Sequence, residues 1–248
     1  MKDHHFKIIV CGYNVEKYIA ANIKSIQNQT HTNFHCIIVD AKSTDNTVAK
    51  AQELIAGDSR FEIICNEERK FALQNIFEAA HYSNPDDEDI VTTVDGDDWL
   101  YDENALAKVN QCYNEDPDLV LTYGNYIHYP DGSNSELRAY PQEIIETQNY
   151  RGYKWLASHL RTYKFKLFKH LKREDLISTW NDQFYDMAYD MPMMYPMLEM
   201  SGGHWKFMPD ILYVYNVQNP LNENKVDVPA IYRVDNEVRN KEKYKAIF

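Results

Sequence analysis

The first 125 residues of this chain alternate between two kinds of segment, and this alternation restricts the fold more than any other feature. Short β-branched runs predict strands at residues 6–10, 36–39, 61–65, 90–94 and 119–123. Between them, apolar residues recur at helical spacing in residues 15–27, 45–55, 71–82 and 103–113. This order predicts an α/β fold with a mainly parallel central sheet and helices on both of its faces.

Beyond residue 125 the pattern is weaker. The sequence predicts an edge strand or hairpin at 123–129, a loop at 130–150, short helices at 151–178, a helix at 191–200 kinked by Pro196, and two short strands at 205–208 and 211–215. We therefore expect an α/β half at residues 1–125, a smaller C-terminal region at 126–221, and a helical tail at 222–248.

An acidic turn follows the predicted strand at 90–94. Its sequence is Asp95-Gly96-Asp97-Asp98. Asp95 and Asp97 are two positions apart on an extended segment, so both side chains can point the same way. Like charges this close repel each other, whereas two carboxylates together suit Mg²⁺ or Mn²⁺ that also binds substrate phosphates. The alternative is a solvated turn that caps the next helix.

A second aspartate, Asp40, follows the predicted strand at 36–39. Ligands of open α/β sheets bind in the crevice beyond the carboxyl ends of the strands. We therefore expect Asp40 and Asp95 to share one crevice.

Composition excludes several classes of protein. The chain has 26 basic and 38 acidic residues and a net charge of −12, which argues against nucleic-acid binding. No apolar run approaches the roughly 18–20 residues of a membrane span, and we expect no signal peptide. The four cysteines lack C-x-x-C spacing. We expect a cytoplasmic protein, and we leave open both its oligomeric state and a peripheral attachment to a membrane.

Five short motifs in sequence order resemble the GT-A glycosyltransferases of family 2. They are K-I-I-V with Y-N-V-E-K-Y-I at residues 7–19, S-I-Q-N-Q-T at 25–30, I-I-V-D at 37–40, S-T-D-N-T at 43–47, and V-D-G-D-D at 94–98. The resemblance implies a GT-A fold and a metal-dependent, inverting transfer of sugar. The donor would be a nucleotide-diphosphate sugar, with a UDP-sugar favoured, and the acceptor a hydroxyl of a glycan or another molecule.

The same resemblance implies roles for individual residues. Residues 1–125 would bind the nucleotide-sugar, and residues 126–221 would bind the acceptor and carry the catalytic base. The donor-binding candidates are Tyr13, Asp40, Lys70 and Asp95; the Mn²⁺ or Mg²⁺ ligands are Asp97 and Asp95; and the base is Asp190, with Asp186 as the second candidate. The alternatives are packing for Tyr13, a turn role for Asp40, a solvated cation for Lys70 and a helix N-cap for Asp190. Trp180, Tyr185 and Tyr189 are candidates for stacking on an acceptor sugar, with core packing as their alternative.

The chain departs from the family pattern at two places. Ala41 and Lys42 replace an acid and a glycine, which affects the prediction of the nucleobase more than that of the chemistry. Asn216 and Gln218 stand where the family often has arginine and histidine, so we expect no cation or imidazole near the diphosphate from this strand. Two other functions stay open: a degenerate GT-A protein that only binds carbohydrate or a partner, and a sugar-phosphate nucleotidyltransferase.

Overall fold

The computed structural model describes residues 2–248, apart from the side chains of residues 223 and 224. The strands are β1 (Phe6–Gly12), β2 (Phe34–Asp40), β3 (Phe61–Cys65), β4 (Ile90–Asp95), β5 (Trp99–Leu100), β6 (Leu121–Tyr129), β7 (Thr162–Lys164) and β8 (Trp205–Asn216). The helices are α1 (Ile19–Gln27), α2 (Thr47–Ile55), α3 (Ala72–Tyr82), α4 (Ala105–Glu115), α5 (Gln142–Glu146), α6 (Phe165–Phe168), α7 (Asp190–Met200), α8 (Glu223–Val226) and α9 (Val228–Asn240). Two short 3₁₀ helices lie at Tyr150–Gly152 and Arg173–Leu176.

Within residues 2–248 the eight strands form one sheet in the order β3-β2-β1-β4-β7-β6-β8-β5. The four N-terminal strands pair in parallel, as the alternating sequence predicts. β7 runs antiparallel between β4 and β6, β8 pairs in parallel with β6, and β5 lies antiparallel at the edge. The α/β fold with helices against its sheet is confirmed, and the complete sheet is mixed.

The central strand shows why the early strands are apolar without interruption. On β1, Ile8 and Val10 pack into a core on one face with residues of α1 and α4. Ile9 points to the opposite face and packs with residues of α3 and α7. Since successive side chains of a strand alternate between the two faces, both positions must be apolar when helices cover both faces.

The structure differs from the sequence prediction in four places. The strand predicted at 119–123 and the edge strand or hairpin predicted at 123–129 are one strand, β6, which lies inside the sheet between β7 and β8. β5 and β7 were not predicted, because two or three residues are too few to show a periodic pattern. The two short strands expected at 205–208 and 211–215 are one strand, β8, whose register shifts between Met208 and Ile211. Pro209 lies in this irregular stretch, where its missing N–H costs the sheet no regular hydrogen bond. α5 lies inside the segment predicted to be loop.

A buried ion pair holds α9 against the rest of the domain. Arg151 donates to both carboxylate oxygens of Glu199 on α7, at 2.6 and 2.9 Å, and the two side chains are almost fully buried. Arg151 Nη1 also donates to the carbonyl oxygen of Val238 at 2.6 Å, near the end of α9. The guanidinium therefore adds a charged donor to a carbonyl at the end of the helix, which also accepts from the backbone N–H of Lys241 at 3.3 Å.

Lys42 occupies a backbone conformation that favours glycine. It lies in the turn after β2 with a φ of +69° and an exposed side chain. In this left-handed region an L-residue costs roughly 1–2 kcal/mol, whereas glycine adopts it freely. The turn thus keeps its glycine-like geometry although the sequence has lost the glycine typical of the family.

We expect Lys42→Gly to raise the free energy of unfolding by about 0.5–1 kcal/mol, because relief of the strained φ exceeds the added flexibility of the unfolded chain. Chemical denaturation measures the change. Lys42→Ala is the matched control, since it removes the same exposed side chain and keeps the Cβ. Equal stabilisation by both variants would mean that the lysine side chain, and not the backbone, is responsible.

Candidate active site

The acidic residues meet at one edge of the sheet because β1 lies between β2 and β4. In the strand register Gly12 lies opposite Asp40 on one side, and Cys11 lies opposite Asp95 on the other. Gly96 then passes so close to the end of β1 that an added Cβ would lie 3.0 Å from the carbonyl oxygen of Cys11. A glycine between the two aspartates is therefore a steric requirement of this turn.

A cavity of about 500 Å³ opens at this edge, and we call it the large cavity. Four of the predicted site residues line it: Tyr13, Asp95, Asp97 and Asp190. A second cavity of about 240 Å³, the small cavity, shares part of its lining with the first. Tyr13 lines both, and Lys70 and Asp186 line the small one. The structure thus brings the predicted metal ligands and the predicted base into one space.

Asp40 is buried at the end of β2, with 4% of its surface exposed. Its Oδ2 accepts a hydrogen bond from the backbone N–H of Ser43 at 2.9 Å. Its Oδ1 is buried and has no hydrogen-bond partner among the described residues. Asp40 lines neither the large nor the small cavity, so of the two aspartates expected to share a crevice only Asp95 reaches the cavity surface. A buried acceptor without a donor is costly, and the donor-binding role of Asp40 stays a prediction.

The base of the small cavity carries an arginine that no sequence motif indicated. The guanidinium of Arg69 lies 3.4 Å from the ring centroid of Tyr13 and donates to the carbonyl oxygen of Ala41 at 3.2 Å. Lys70, the predicted donor-binding cation, instead pairs with Glu78 at 2.8 Å while still lining the cavity. Arg69 is therefore the cation in direct contact with Tyr13.

Donors from the C-terminal half engage the acidic turn. The buried carboxylate of Asp98 accepts from the hydroxyl of Tyr213 at 2.8 Å and from the backbone N–H of Asn216 at 2.7 Å. Asp97 Oδ2 accepts from the amide of Asn219 at 2.7 Å. Burial raises the pKa of Asp98 well above its usual value, with the charges of its two neighbours adding to the effect, and burial also raises the pKa of Asp97.

Asp95 belongs to the same turn but has a different partner. Both of its carboxylate oxygens accept from the hydroxyl of Tyr189, at 2.8 and 2.9 Å. Burial raises the pKa of Asp95 to about 6, although the positive charge of Arg161 opposes the rise. Tyr189, a candidate for sugar stacking from the sequence, therefore has a polar role beside Asp95.

Arg161 connects the predicted base Asp190 to the predicted metal ligand Asp95 through the hydroxyl of Tyr189. It lies just before β7, 1% exposed, and its Nη1 donates to Asp190 Oδ2 at 2.9 Å. Its Nη2 donates to the hydroxyl of Tyr189 at 3.0 Å and lies 3.1 Å from Nδ1 of His159. Burial, together with the charge of Arg161, lowers the pKa of His159 well below its usual value, so this imidazole is neutral.

The expectation that the last strand brings no cation or imidazole near the diphosphate covers only part of the site. It was drawn from Asn216 and Gln218 on the last strand, but Arg161 reaches the large cavity from the neighbouring part of the sheet. One signal was present in the sequence: an arginine between Leu160 and the run Thr162-Tyr163. A charge within such a segment needs a buried partner.

Two other aromatic candidates lie in different surroundings. Tyr185 is 1% exposed and packs in the core, which does not permit stacking on a ligand. Trp180 is 53% exposed, and the guanidinium of Arg233 lies 5.2 Å from its ring centroid. Neither lines the large or the small cavity.

The carboxylates at the acidic turn are suited to a hard divalent cation. Asp95, Asp98 and His159 each bring one ligand atom within 4.8 Å of the others, although hydrogen bonds already engage both oxygens of Asp95 and both oxygens of Asp98. Asp97 differs, because no hydrogen bond to its Oδ1 occurs among the side chains that the structure describes. Asp97 lies outside that group of three, so its place beside Asp95 as a metal ligand stays a prediction. Carboxylate oxygens are the ligands that Mg²⁺ and Mn²⁺ take together with substrate phosphates.

A parallel α/β half with carboxylates beyond its strand ends defines a GT-A fold. The sequence profile described as glycosyl transferase family 2 matches residues 7–176, which is more than half of the chain. The chain therefore belongs to glycosyl transferase family 2, and the resemblance found in its motifs is confirmed.

Curated relatives cover the chain in part. It is 31% identical to the Escherichia coli UDP-Glc:alpha-D-GlcNAc-diphosphoundecaprenol beta-1,3-glucosyltransferase WfgD over 127 residues. The matched segment covers 51% of this chain and 47% of that protein. The chain is 27% identical to the glycosyltransferase GlyG of Streptococcus pneumoniae serotype 4 over 128 residues. This segment covers 52% of this chain and 41% of that protein. The chain thus spans about half or less of the length of these relatives.

Solved structures share the fold over almost the entire chain. S. aureus TarS in complex with UDP-GlcNAc matches with a TM-score of 0.64 at 18% identity, covering 93% of this chain and 64% of that one. The mannosyltransferase PcManGT from Pyrobaculum calidifontis, in complex with GDP-Man and Mn²⁺, matches with a TM-score of 0.62 at 15% identity, covering 97% and 66%. At these identities the likeness establishes the fold alone.

None of the helices within residues 2–248 is both long and apolar enough to cross a lipid bilayer.

We expect the burial of Asp95 to make the ligand-free protein less stable as pH rises. The pKa of Asp95 is about 6 in the folded state, above the usual carboxyl value of 3.8, so the folded protein keeps this proton at a pH where the unfolded chain has lost it. The stabilisation that the bound proton gives the folded state is complete below about pH 4 and is lost as the pH rises through 6. Asp95→Asn removes this dependence. Its stability relative to the unmodified protein should rise by about 1–2 kcal/mol between pH 4.5 and pH 7, since one pKa unit corresponds to about 1.4 kcal/mol.

Urea denaturation in the presence of EDTA at several pH values measures the difference. Asp86→Asn is the control, because Asp86 is an exposed aspartate that precedes β4, whereas the acidic turn lies at the opposite end of that strand. A stability difference for Asp95→Asn that stays constant with pH would show that Asp95 does not carry a raised pKa.

Proposed function

We propose that this chain catalyses the transfer of a sugar from a nucleotide-diphosphate donor to an acceptor hydroxyl, with inversion at the anomeric carbon. The observation that carries the proposal is that Asp95, Asp97 and Asp190 line one cavity in a family 2 chain. Residues 1–125 would bind the donor, residues 126–221 the acceptor, and residues 222–248 would form the tail. The curated relatives named above are described as a glucosyltransferase and a glycosyltransferase, which favours transfer over the nucleotidyltransferase and non-enzymatic alternatives.

The donor nucleotide would lie against the end of β2. Tyr13 with Arg69 offers a flat cationic surface there. Asp40 lies beneath the surface, and its unpartnered Oδ1 would accept a hydrogen bond from an N–H of the base only if donor binding exposes it. Lys70 lines the same small cavity and can approach the donor only by leaving Glu78. A UDP-sugar is the donor that we favour, in keeping with the donor in the name of WfgD and with the ligand of TarS.

A divalent cation would be held by Asp97 and Asp95. Burial of these carboxylates raises the pKa of both. Their ionised form is therefore unfavourable without a cation, and a bound cation would stabilise it. When bound, Mn²⁺ or Mg²⁺ supplies positive charge for the diphosphate leaving group. The Mn²⁺ in the PcManGT complex supports this choice of metal.

Asp190 would act as the general base. It is the first residue of α7, and Arg161 fixes its Oδ2 by a hydrogen bond of 2.9 Å. A carboxylate held in this way can accept the proton of an acceptor hydroxyl while that oxygen attacks the anomeric carbon. Asp186, the second candidate, lines the small cavity instead.

We expect Asp190→Asn to lower kcat by about 10²–10⁴-fold and to change the KM for the donor little, because the amide keeps the shape but cannot accept the proton. Steady-state release of nucleoside diphosphate, measured with a panel of nucleotide-sugars, provides both constants. Asp186→Asn is the matched comparison. A large loss of kcat in Asp186→Asn, with Asp190→Asn active, would assign the base to Asp186.

We further expect a nucleoside diphosphate to raise the melting temperature in the presence of Mn²⁺ and to have little effect in EDTA, since a ligand that binds only the folded state stabilises it. A panel of UDP, GDP, ADP and CDP identifies the base. Asp97→Asn should lose most of the Mn²⁺-dependent shift, whereas Asp86→Asn should keep it. A full shift in Asp97→Asn, or one that persists in EDTA, would contradict the metal assignment.

A further inference from the structure

One side of the large cavity is aromatic, and three rings form it. Tyr126 and His128 are two positions apart on β6, so they share a face, and Tyr215 lies beside them on β8. The ring centroids are 5.2 Å apart for Tyr126 and His128, 5.5 Å for Tyr126 and Tyr215, and 6.0 Å for His128 and Tyr215. All three residues are partly exposed and line the cavity. We call these three residues the aromatic wall.

The aromatic wall is joined to the proposed base by two buried side chains. His159 contacts Tyr126 edge to face at 5.7 Å and stacks flat on Tyr213 at 4.2 Å. Arg161 then links His159 to Asp190 through contacts of 3.1 and 2.9 Å. A molecule that lies against the wall is therefore close to the carboxylate that would remove its proton.

The chemistry of the wall favours one kind of molecule. Its rings offer apolar faces, while the hydroxyl and imidazole groups at their edges are polar. The hydroxyl of Tyr215 also accepts a hydrogen bond of 2.7 Å from the amide of Asn222, so polar groups border the rings. A pyranose has the matching surface, with C–H groups on one face and hydroxyls around the rim. An aliphatic chain would remove water from the polar rim of the wall without forming any hydrogen bond to it.

We propose that the acceptor is a carbohydrate and that the aromatic wall binds its pyranose ring by stacking. The inference rests on the proposed transferase function and adds the class of acceptor to it. The ring would lie against Tyr126, with the attacking hydroxyl directed to Asp190. None of the three wall residues belongs to the donor or metal candidates, so donor binding and acceptor binding are separable.

The test measures release of nucleoside diphosphate by the complete chain with Mn²⁺ and a panel of UDP-, GDP- and dTDP-sugars. Three kinds of acceptor are offered: p-nitrophenyl pyranosides of glucose, galactose, mannose and N-acetylglucosamine in both anomers, farnesyl diphosphate, and a serine-containing peptide. We expect at least one pyranoside to accelerate release above the slow hydrolysis of the donor alone. Neither of the other two acceptors should do so.

Variants of Tyr126 then test the wall itself. We expect Tyr126→Ala to raise the KM for the stimulating pyranoside about tenfold, which corresponds to the loss of one aromatic contact of about 1.4 kcal/mol. The KM for the donor should stay unchanged, and Tyr126→Phe, which keeps the ring, should restore acceptor binding. Tyr129→Ala is the control, because Tyr129 lies on the same strand but packs against Trp99.

The outcomes separate the two proposals. Donor turnover that only farnesyl diphosphate or the peptide accelerates would overturn the carbohydrate assignment and leave the transferase function intact. An unchanged pyranoside KM in Tyr126→Ala, with a normal melting temperature, would overturn the role of the wall. The absence of any donor turnover or nucleotide binding would overturn the transferase function, and the acceptor assignment with it.

Discussion

The structure depends on how three carboxylates, one buried and two half-buried, are kept in one four-residue turn. Each carboxylate of residues 95–98 repels the others and loses hydration, and burial raises the pKa of all three. Hydrogen bonds to these groups come from Tyr189, Tyr213, Asn216 and Asn219. Every one of these donors is more than 90 positions away in the chain, so the C-terminal half holds the N-terminal turn in place.

This arrangement links folding of the site to folding of the whole sheet. The first four parallel strands bury their own apolar residues and bring Asp40 and Asp95 to one edge. They do not supply donors for the side chains of the acidic turn, because Tyr213 and Asn216 belong to β8 and Tyr189 directly precedes α7. An unpaired buried carboxylate is expensive, so the site takes its final form only when the C-terminal half packs against the sheet.

The parts that could be predicted from sequence are those with a local signal. Strands β1 to β4 are apolar runs separated by helical repeats, and the acidic turn is visible as three aspartates in four residues. Strands β5 and β7 have two and three residues and are therefore too short to show an alternating hydrophobic pattern. Their positions in the sheet depend on pairing with strands that are distant in sequence. Likewise, Arg69 beside Tyr13 and the hydrogen bond from Asn219 to Asp97 are products of tertiary packing.

Arg161 explains how the chain can lack basic residues at 216 and 218. Its buried guanidinium contacts Asp190 directly and reaches Asp95 through the hydroxyl of Tyr189. Its positive charge is thus shared between the proposed base and a proposed metal ligand, and the neutral imidazole of His159 contacts it without competing for charge. Asn216 instead supports the acidic turn, because its backbone N–H donates to Asp98 and its side-chain amide donates to the carbonyl oxygen of Asp97. Asn216 therefore provides a structural contact at a position where the family often has a charged residue, while a cation enters the same cavity from the segment before β7.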